Sequence, residues 1–328
     1  MLSSMQLWNS VLNSSTTCRQ RISCTSLLRI VKRRYSKVLV RDVPDSMAKA
    51  LSMSSTTTTT FDLSKAKRQH ESYLQVMKSI FPSTKIIQLK ADDTYPDCVF
   101  IEDTAVVIDN RAVICRIGAE SRRGEVDETK KALLDLGLEV FDMRQDTNLA
   151  TCDGGDVLYP VSYHNKNNIH SKKGGKHLFV GISNRTNMEG ANYLQTKFPD
   201  VNVIPIQLKG DSNNEVLHLK SAVTHIDEKT LLIPTGSEWN YMVDSFMKQG
   251  EDFEIIRLPD IAACNVVSVN GHILAPDSIC ELSKEILHDT IVQTKGLSLH
   301  FVEANEFAKY DGALTCKSIL LQIGRAHV

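Results

Sequence analysis

Asp311-Gly312-Ala313-Leu314-Thr315-Cys316, followed by Lys317-Ser318-Ile319-Leu320-Leu321, is the stretch on which the fold prediction depends. An apolar, partly β-branched run after Asp-Gly predicts a strand that leaves a turn. A thiol at the start of such a strand can lie at the rim of a pocket. A lone cysteine is more often a small buried hydrophobic residue. A nucleophilic role for Cys316 therefore requires a base, an orienting carboxylate and a substrate site elsewhere in the chain.

A pattern of two strands, a helix and a strand recurs before this stretch, at a spacing of roughly fifty to sixty residues. The pieces left over form a fifth round split between the chain ends: strand 315–321 would pair with strand 35–41, followed by a helix from residue 63 and strand 86–89. Five such units around an axis predict a closed α/β array whose loops converge on a central channel. An ordinary α/β domain with two layers of helices is the alternative. The four complete rounds are predicted over 99–108, 112–116, 127–136 and 138–143; 157–160, 178–182, 188–198 and 201–207; 217–224, 230–234, 238–248 and 253–258; and 262–269, 272–275, 277–288 and 298–303.

Composition excludes several classes of protein. The 328-residue chain is 42% hydrophobic and 23% charged, which is typical of a soluble globular protein. Its formal net charge of −1 gives no reason to expect nucleic acid as a partner, and no apolar run approaches the length of a membrane span. The eight cysteines contain no CxxC pair and are too sparse for a disulfide scaffold, which favours a reduced, intracellular protein.

Both ends and one internal stretch differ from the rest. Residues 1–41 are rich in Arg and Lys and lack Asp and Glu, which fits a mitochondrial transit peptide, a disordered basic tail or a mis-assigned start codon. We expect 1–34 to be such an extension, and the protein to be cytoplasmic unless this extension directs it to mitochondria. Residues 160–176 predict a polar hairpin inserted into the main domain, 35–321. Residues 322–328 resemble a translated sequencing-library adapter, so we expect a non-native tail there.

Three acids lie within seven residues at the start of an otherwise apolar strand pair: Asp97, Glu102 and Asp103. Acidic side chains are seldom buried without partners. If this strand lines a channel, the acids face a cation. A planar guanidinium suits paired carboxylates, because its N–H donors form a fork. The alternative is an exposed turn whose acids face water.

Two arginines and an Asp–His combination complete the set of candidate residues. Arg122, in Ser121-Arg122-Arg123-Gly124, and Arg185, in Asn184-Arg185-Thr186-Asn187, follow the second strands of the first two complete rounds. Both could therefore clamp a carboxylate at one mouth. In Asp153-Gly154-Gly155-Asp156 the glycines allow a close backbone approach and Asp153 could orient an imidazole, although a tight turn is the alternative. His218, in Leu217-His218-Leu219-Lys220-Ser221, gains meaning only in combination with Cys316.

These motifs, together with Leu51 and Pro96-Asp97-Cys98-Val99-Phe100, resemble the animal type of dimethylarginine dimethylaminohydrolase. They fall in the family's order, and the resemblance extends from about residue 38 to residue 321. It implies the pentein fold, a five-bladed ββαβ propeller in a single domain, whose fifth module is closed by the N- and C-terminal strands. That fold agrees with the repeat count.

The resemblance also implies a role for each of ten residues. Three would be catalytic: Cys316 as the nucleophile, His218 as the general acid/base, and Asp153, which orients His218. Seven would contact substrate: Asp97, Asp103 and nearby Glu102 at the guanidinium, Arg122 and Arg185 at the amino-acid end, Leu51 on a closing loop, and Asp311 beside the thiol.

The implied reaction is hydrolysis of N(omega),N(omega)-dimethyl-L-arginine, or of monomethyl-L-arginine, to L-citrulline and dimethylamine or methylamine. It would proceed through a covalent thiouronium on Cys316 and would relieve inhibition of nitric oxide synthesis. It requires no cofactor and no metal, although zinc between Cys316 and His218 would inhibit. We expect a monomer or homodimer with no nucleic-acid or membrane partner. The alternatives are a related pentein deiminase acting on arginine or agmatine, and a non-catalytic pentein that only binds.

Two positions depart from the family's pattern. Lys317 follows Cys316 where animal relatives often carry a second cysteine. Ala263-Cys264-Asn265 is transposed relative to the family's Ala-Asn-Cys, which puts any pocket role of Asn265 in question.

Overall fold

Five sheets of three strands each form the framework of the computed structural model, which describes residues 35–53, 60–160, 177–208, 216–248 and 252–322. In each sheet the first two strands run antiparallel and the second and third run parallel. The terminal sheet joins both chain ends, as predicted. The strands of this terminal sheet are Ser318–Leu321, Lys37–Arg41 and Ile86–Leu89. The strands of the other four sheets, in chain order and one sheet at a time, are Ala105–Ile108, Arg111–Ile114 and Glu139–Asp142; Val157–Leu158, His177–Ile182 and Asn202–Gln207; Thr224–His225, Thr230–Pro234 and Glu254–Leu258; and Val267–Val269, His272–Pro276 and Ser298–Val302.

A helix connects the two parallel strands of every sheet. The first helix begins after Asp62, whose carboxylate accepts a bond of 2.9 Å from the Lys65 amide. Gly137, at φ 78°, follows the end of the second helix, as predicted. The connecting helices are Leu63–Ile80, Val126–Asp135, Met188–Lys197, Asn240–Met247 and Glu281–His288, the last followed by a π-helix over Asp289–Thr294. Shorter helices occupy Asp45–Lys49, Ser83–Lys85, Glu120–Arg122, Met143–Asp146, Ser237–Trp239 and Asn305–Ala308.

A short helical turn precedes the first strand of every sheet, and here the strand predictions were wrong. The sequence predicted continuous strands over 99–108, 217–224, 262–269 and 315–321. A short apolar run cannot distinguish a buried strand from a buried helical turn. The turn bonds its own backbone, as in the 3.0 Å bond from the Val223 amide to the Leu219 carbonyl. The five turns are Ile101–Thr104, Gly154–Asp156, Leu219–Ala222, Ala262–Cys264 and Thr315–Lys317.

Five clusters of buried apolar side chains pack neighbouring sheets together. Burial of these side chains is the main favourable contribution to folding. The fifth sheet in chain order packs against the terminal sheet, so each sheet contacts two others through such a cluster. In chain order, starting from the terminal sheet, the clusters include the pairs Leu39 and Ala112, Val113 and Val180, Phe179 and Ile233, Leu232 and Ile273, and Leu274 and Val40.

The predicted extension over 1–34 lies outside the described residues. So do all but the first residue of the predicted insertion over 160–176 and all but the first residue of the predicted tail over 322–328. Within the described ranges, no helix has the length and apolar character needed to cross a membrane.

Candidate active site

The helical turns bring the predicted site residues together. Asp103 lies on the turn Ile101–Thr104 and Cys316 on Thr315–Lys317, while Asp153 and His218 immediately precede the turns of the third and fourth sheets. Asp153 and Glu102 are buried but do not line the cavity that the other predicted residues share. Eight of the ten line this one cavity: Leu51, Asp97, Asp103, Arg122, Arg185, His218, Asp311 and Cys316.

A hydrogen-bonded carboxylate orients the candidate base. His218 Nε2 lies 3.0 Å from Asp153 Oδ2, and its Nδ1 lies 4.0 Å from Asp103 Oδ1. Asp153 is fixed in turn, because its Oδ1 accepts a 2.8 Å bond from the Gly118 amide. Burial alone would lower the pKa of His218, but Asp103, Asp153 and nearby Asp156 outweigh it and raise the pKa to about 9. The imidazole is therefore protonated at neutral pH.

Gly155 and Asp156 help to fix the positions of His218 and Asp103. A Cβ at Gly155 would lie 2.7 Å from His218 Nδ1 and 2.8 Å from Asp103 Oδ1, so only glycine fits there. The Gly155 amide donates to Asp103 Oδ1 at 3.0 Å. Asp156 accepts a 2.9 Å bond from the Leu219 amide, which fixes the turn that follows His218. The Asp-Gly-Gly-Asp motif thus positions both Asp103 and the imidazole.

Cys316 lies at the cavity in a setting that opposes ionisation. Its residue surface is only 8% exposed. Burial, with the carboxylates of Glu102 and Asp103, raises the pKa of its thiol to about 12. A thiolate at this position requires a compensating positive charge.

Two carboxylates on the wall supply negative charge to the cavity. Asp97 and Asp103 are both buried. Burial raises the pKa of Asp97, against the opposing effect of Arg122. Burial also disfavours ionisation of Asp103, but His218 and Arg122 outweigh it and the pKa lies below its ordinary value. A cation entering the cavity would be stabilised by Asp103 and would favour ionisation of Asp97.

Arg122 is already held by protein groups. Its Nη1 donates to Asp103 at 2.9 Å, and its Nε and Nη2 donate to Glu125 at 3.0 Å. Nη2 also donates to the Phe100 carbonyl at 3.3 Å. These contacts use four of the five guanidinium N–H groups and leave one, on Nη1. Arg122 therefore positions Asp103 and offers at most a single donor to a ligand.

Glu102 lies behind the cavity wall and supports the turn that contains Cys316. Its carboxylate accepts 2.6 Å and 2.9 Å bonds from Lys220 Nζ and Thr315 Oγ1. Asn265, buried in the structure, accepts a 3.1 Å bond from the Thr315 amide and donates to Thr315 Oγ1 at 3.0 Å. Asn265 thus fixes the residue before Cys316 despite the transposed motif.

Two backbone amides of the loop that contains Leu51 donate hydrogen bonds to acidic side chains that line the cavity. The Leu51 amide donates to Asp97 Oδ1 at 3.1 Å, and the Met53 amide donates to Asp311 Oδ2 at 2.6 Å. Leu51 itself is 39% exposed. The free space inside is only about 20 Å³, close to the room needed by one water molecule.

One group of metal-ligating type occurs among the described residues: Asp103, Asp153 and His218, all buried, with one ligand atom of each within 4.8 Å of the others. It contains His218 but not Cys316. Its geometry is that of a hydrogen-bonded acid–imidazole network, because His218 Nε2 is already bonded to Asp153.

Sequence reasoning missed the supporting residues. Glu125, Lys220 and Thr315 each contact a predicted site residue. Glu125 lies three residues after Arg122, and a search for a buried partner of that charge could have found it. Lys220 pairs with Glu102, 118 residues away in sequence, so no local signal marks it. Thr315 is adjacent to Cys316 and carries no separate signal.

Comparison with known proteins agrees with this geometry. The family model described as N,N dimethylarginine dimethylhydrolase, eukaryotic, matches residues 44–272. An uncharacterized protein of Aeropyrum pernix is 30% identical over 293 residues, covering 88% of this chain and 96% of its own. The N(G),N(G)-dimethylarginine dimethylaminohydrolase of Pseudomonas aeruginosa is 27% identical over 270 residues, covering 79% of this chain and 89% of its own.

Solved structures show the same fold. A cysteine-to-serine mutant of the Pseudomonas aeruginosa enzyme, complexed with citrulline, matches with a TM-score of 0.70 at 24% identity, covering 88% of this chain and 99% of its own. The N-terminal domain of ArgZ, a cyanobacterial arginine dihydrolase, matches with a TM-score of 0.66 at 18% identity, covering 87% and 97%. Both likenesses bear on the α/β fold of the pentein type.

Fold and site together define a hydrolase that acts on the C–N bond of a linear amidine. The chain belongs to the eukaryotic dimethylarginine dimethylaminohydrolase family. The resemblance predicted from the sequence is thereby confirmed.

Proposed function

We propose that this protein hydrolyses dimethyl-L-arginine and monomethyl-L-arginine to L-citrulline and the corresponding methylated amine. One observation carries the proposal: Cys316, His218 and the carboxylates Asp97 and Asp103 line a single cavity, and Asp153 contacts His218 from outside it. A thiol, an oriented imidazole and a carboxylate pair are what attack on a guanidinium carbon requires. A non-catalytic binding module would not need the first two.

Substrate charge activates the nucleophile. In the empty site the thiol is neutral and His218 is protonated, as their pKa values of about 12 and about 9 require. A guanidinium held by Asp97 and Asp103 adds a positive charge beside the thiol and lowers its pKa, so that the thiol releases its proton to solvent. The thiolate sulfur then forms a bond to the guanidinium carbon, giving a tetrahedral species.

His218 serves as the acid and then as the base. Its proton passes to the departing dimethylamine nitrogen as the C–N bond breaks, leaving a thiouronium on Cys316. The neutral imidazole, still oriented by Asp153, takes a proton from a water molecule that attacks the same carbon. Collapse of the tetrahedral species breaks the C–S bond, its hydroxyl group loses its proton as the citrulline carbonyl forms, and the departing thiolate takes up that proton to restore the thiol. No redox change occurs in these steps.

Arg185 and Arg122 bind the amino-acid end unequally. Both line the cavity, but Arg122 already donates to Asp103, Glu125 and the Phe100 carbonyl. Arg185 is therefore the principal partner of the substrate carboxylate, and Arg122 adds one N–H. Glu102 acts indirectly, through Thr315 and Lys220. Leu51 lies on the loop that opens for substrate and closes again over it.

The same arrangement supports the remaining expectations. The ring of sheet contacts, with the fifth sheet packed on the terminal one, favours a closed five-bladed propeller with the site on its axis. Removal of methylated arginines would relieve inhibition of nitric oxide synthesis. Zinc held between Cys316 and His218 would inhibit, since both side chains are good zinc ligands.

Citrulline release from dimethylarginine, monomethylarginine and arginine tests the proposal, with Cys316→Ser as the control. We expect turnover of both methylated substrates and loss of activity in the variant. Turnover of arginine alone would move the protein to the deiminase alternative. Absence of turnover on all three substrates by the folded protein would refute the enzymatic proposal.

A further inference from the structure

Asp156 is a fully buried acid that takes no part in the proposed reaction steps. Burial raises the pKa of its carboxyl to about 6, so the group is ionised at neutral pH and needs donors. Ser183 Oγ and Thr186 Oγ1 each donate to its Oδ2 at 2.7 Å, and the Leu219 amide donates to its Oδ1 at 2.9 Å. These donors come from two separate segments: the loop over residues 183–187, which contributes an arginine to the cavity, and the turn that follows the candidate base.

Ser183 connects this carboxylate to the backbone of Arg185. Its Oγ, which donates to Asp156, also accepts a 3.0 Å bond from the Arg185 amide and a 3.2 Å bond from the Thr186 amide. The Ser183 amide in turn donates to the Thr186 carbonyl at 3.0 Å. Bonds between a hydroxyl and nearby backbone groups stabilise one conformation of a turn. The backbone of Arg185 is therefore held by Asp156 through Ser183.

The same loop contacts the groups that fix the acid–imidazole pair. A Cβ at Gly118 would lie 2.5 Å from the Arg185 carbonyl oxygen, so the two backbones are in close contact. The Gly118 amide donates to Asp153 Oδ1 at 2.8 Å. The Asp153 amide donates to Thr186 Oγ1 at 3.0 Å. The loop is thus bonded to the backbone of Asp153 and packs on the residue that holds its side chain against His218.

A substrate in the cavity must span the distance between these two segments. In the proposed binding mode Arg185 holds the substrate carboxylate, and the carbon under attack lies beside Cys316 and His218. One carboxylate, that of Asp156, bonds both the loop of Arg185 and the turn after His218. The separation of the two binding positions therefore cannot change without loss of bonds to Asp156. A ligand whose carboxylate and guanidinium match this separation gains affinity from the preorganised site.

We propose that Asp156 is a positioning residue that fixes the separation of Arg185 and His218, and thereby the preference for ligands that carry a carboxylate. This role rests on the proposed binding of the substrate carboxylate by Arg185. Loss of an anchoring hydroxyl should release the loop of Arg185 but leave in place the carboxylates Asp97 and Asp103, which hold the guanidinium. A guanidinium ligand without a carboxylate should therefore bind as before, whereas one with a carboxylate should bind more weakly.

Calorimetric binding to Cys316→Ser protein tests this with two probes: dimethyl-L-arginine, and dimethylagmatine, which lacks only the carboxylate. We expect dimethylarginine to bind more tightly. Adding Ser183→Ala or Thr186→Val should reduce the ratio of the two Kd values by about tenfold, through weaker binding of dimethylarginine alone. Ser183→Thr and Thr186→Ser keep the hydroxyl groups and should keep the ratio. The control Ser79→Ala removes an exposed hydroxyl that donates within its own helix, and should also keep the ratio.

Asp156→Asn extends the test to the acid itself. An amide has one acceptor oxygen and cannot accept all three bonds, so the ratio should fall at least as far as in the hydroxyl variants. An unchanged ratio in folded Ser183→Ala and Thr186→Val, or equal weakening of both probes, would overturn the proposal. Failure of both variants to fold would also overturn it, as would equal affinity of Cys316→Ser for the two probes. Because binding does not require turnover, absence of citrulline release would refute the proposed function and leave this result standing.

Discussion

The Asp153–His218 contact makes a quantitative prediction about stability and pH. His218 has a folded pKa of about 9, against about 6.5 for histidine in an unfolded chain. A raised pKa contributes stability that is fully present below pH 6.5 and is lost as pH rises to about 9. The difference of 2.5 units corresponds to about 3 kcal/mol.

Asp153→Asn should remove a substantial part of this contribution. The substitution replaces a charged acceptor at 3.0 Å by a neutral amide. Bonds to charged groups are worth about 1.5–3 kcal/mol, so we expect the pKa of His218 to fall by about one to two units. The variant should lose about 1.5–3 kcal/mol less stability than the wild type between pH 6.5 and 9.

Denaturant unfolding at several pH values measures this difference, and NMR titration of the His218 ring gives the pKa directly. The comparison with wild type matters, because other buried groups such as Lys317 titrate in the same range. Asp156→Asn is the matched control: it removes a nearby charge that is bonded to the Leu219 amide rather than to His218. It should shift the pKa less. Equal pH dependence in wild type and Asp153→Asn would refute the statement that Asp153, together with Asp103, raises the pKa of His218.

Three further predictions concern the supporting residues. Lys220→Met should destabilise the protein by about 3–5 kcal/mol in denaturant unfolding, because it leaves the buried Glu102 carboxylate without its ionic partner. Adding Glu102→Gln to this variant should recover part of the lost stability. No recovery in the double variant would contradict the pairing. Gly155→Ala should lower kcat by about a hundredfold or more, because its methyl group would displace His218 and Asp103. The control Gly137→Ala has no neighbour within 4 Å of the added Cβ and should lower only stability. Equal kcat in both variants would argue against the close approach at Gly155. Arg185→Met should raise KM for dimethylarginine by about tenfold or more, with a smaller change in kcat. The control Arg123→Met, outside the cavity, should leave KM and kcat unchanged. An unaffected KM in Arg185→Met would mean that the substrate carboxylate binds elsewhere.

The repeat could be predicted because it is periodic, and the pairing of the two terminal strands could be predicted with it. Each round carries its own strand and helix patterns, and Gly137 and Asp62 mark helix boundaries by local chemistry. The terminal strand pairing, Lys37–Arg41 with Ser318–Leu321, followed from counting pieces that lacked a partner. The helical turns before the first strands could not be predicted, because a segment of three or four residues is too short to show a period.

The sequence could predict which residues lie at the cavity, but it could not predict their contacts. Eight predicted residues line the cavity, but the contacts that each one makes depend on interatomic distances that the sequence does not give. Arg122 was predicted to bind substrate, and the structure adds its bonds to Asp103 and Glu125. Asn265 was placed in question by its transposed motif, but it bonds Thr315 through both its amide oxygen and nitrogen. Such partners depend on which turns meet at the cavity, and that information is not local in sequence.

The central claim is that Cys316 forms a covalent bond to the guanidinium carbon of a methylated arginine. Rapid acid quenching of the protein during turnover of dimethylarginine, followed by mass spectrometry of the Cys316 peptide, tests it directly. We predict an adduct with the mass of the substrate less dimethylamine on Cys316, and neither adduct nor citrulline with Cys316→Ser. Citrulline formation by Cys316→Ser at the wild-type rate, or an adduct on a different residue, would contradict the account.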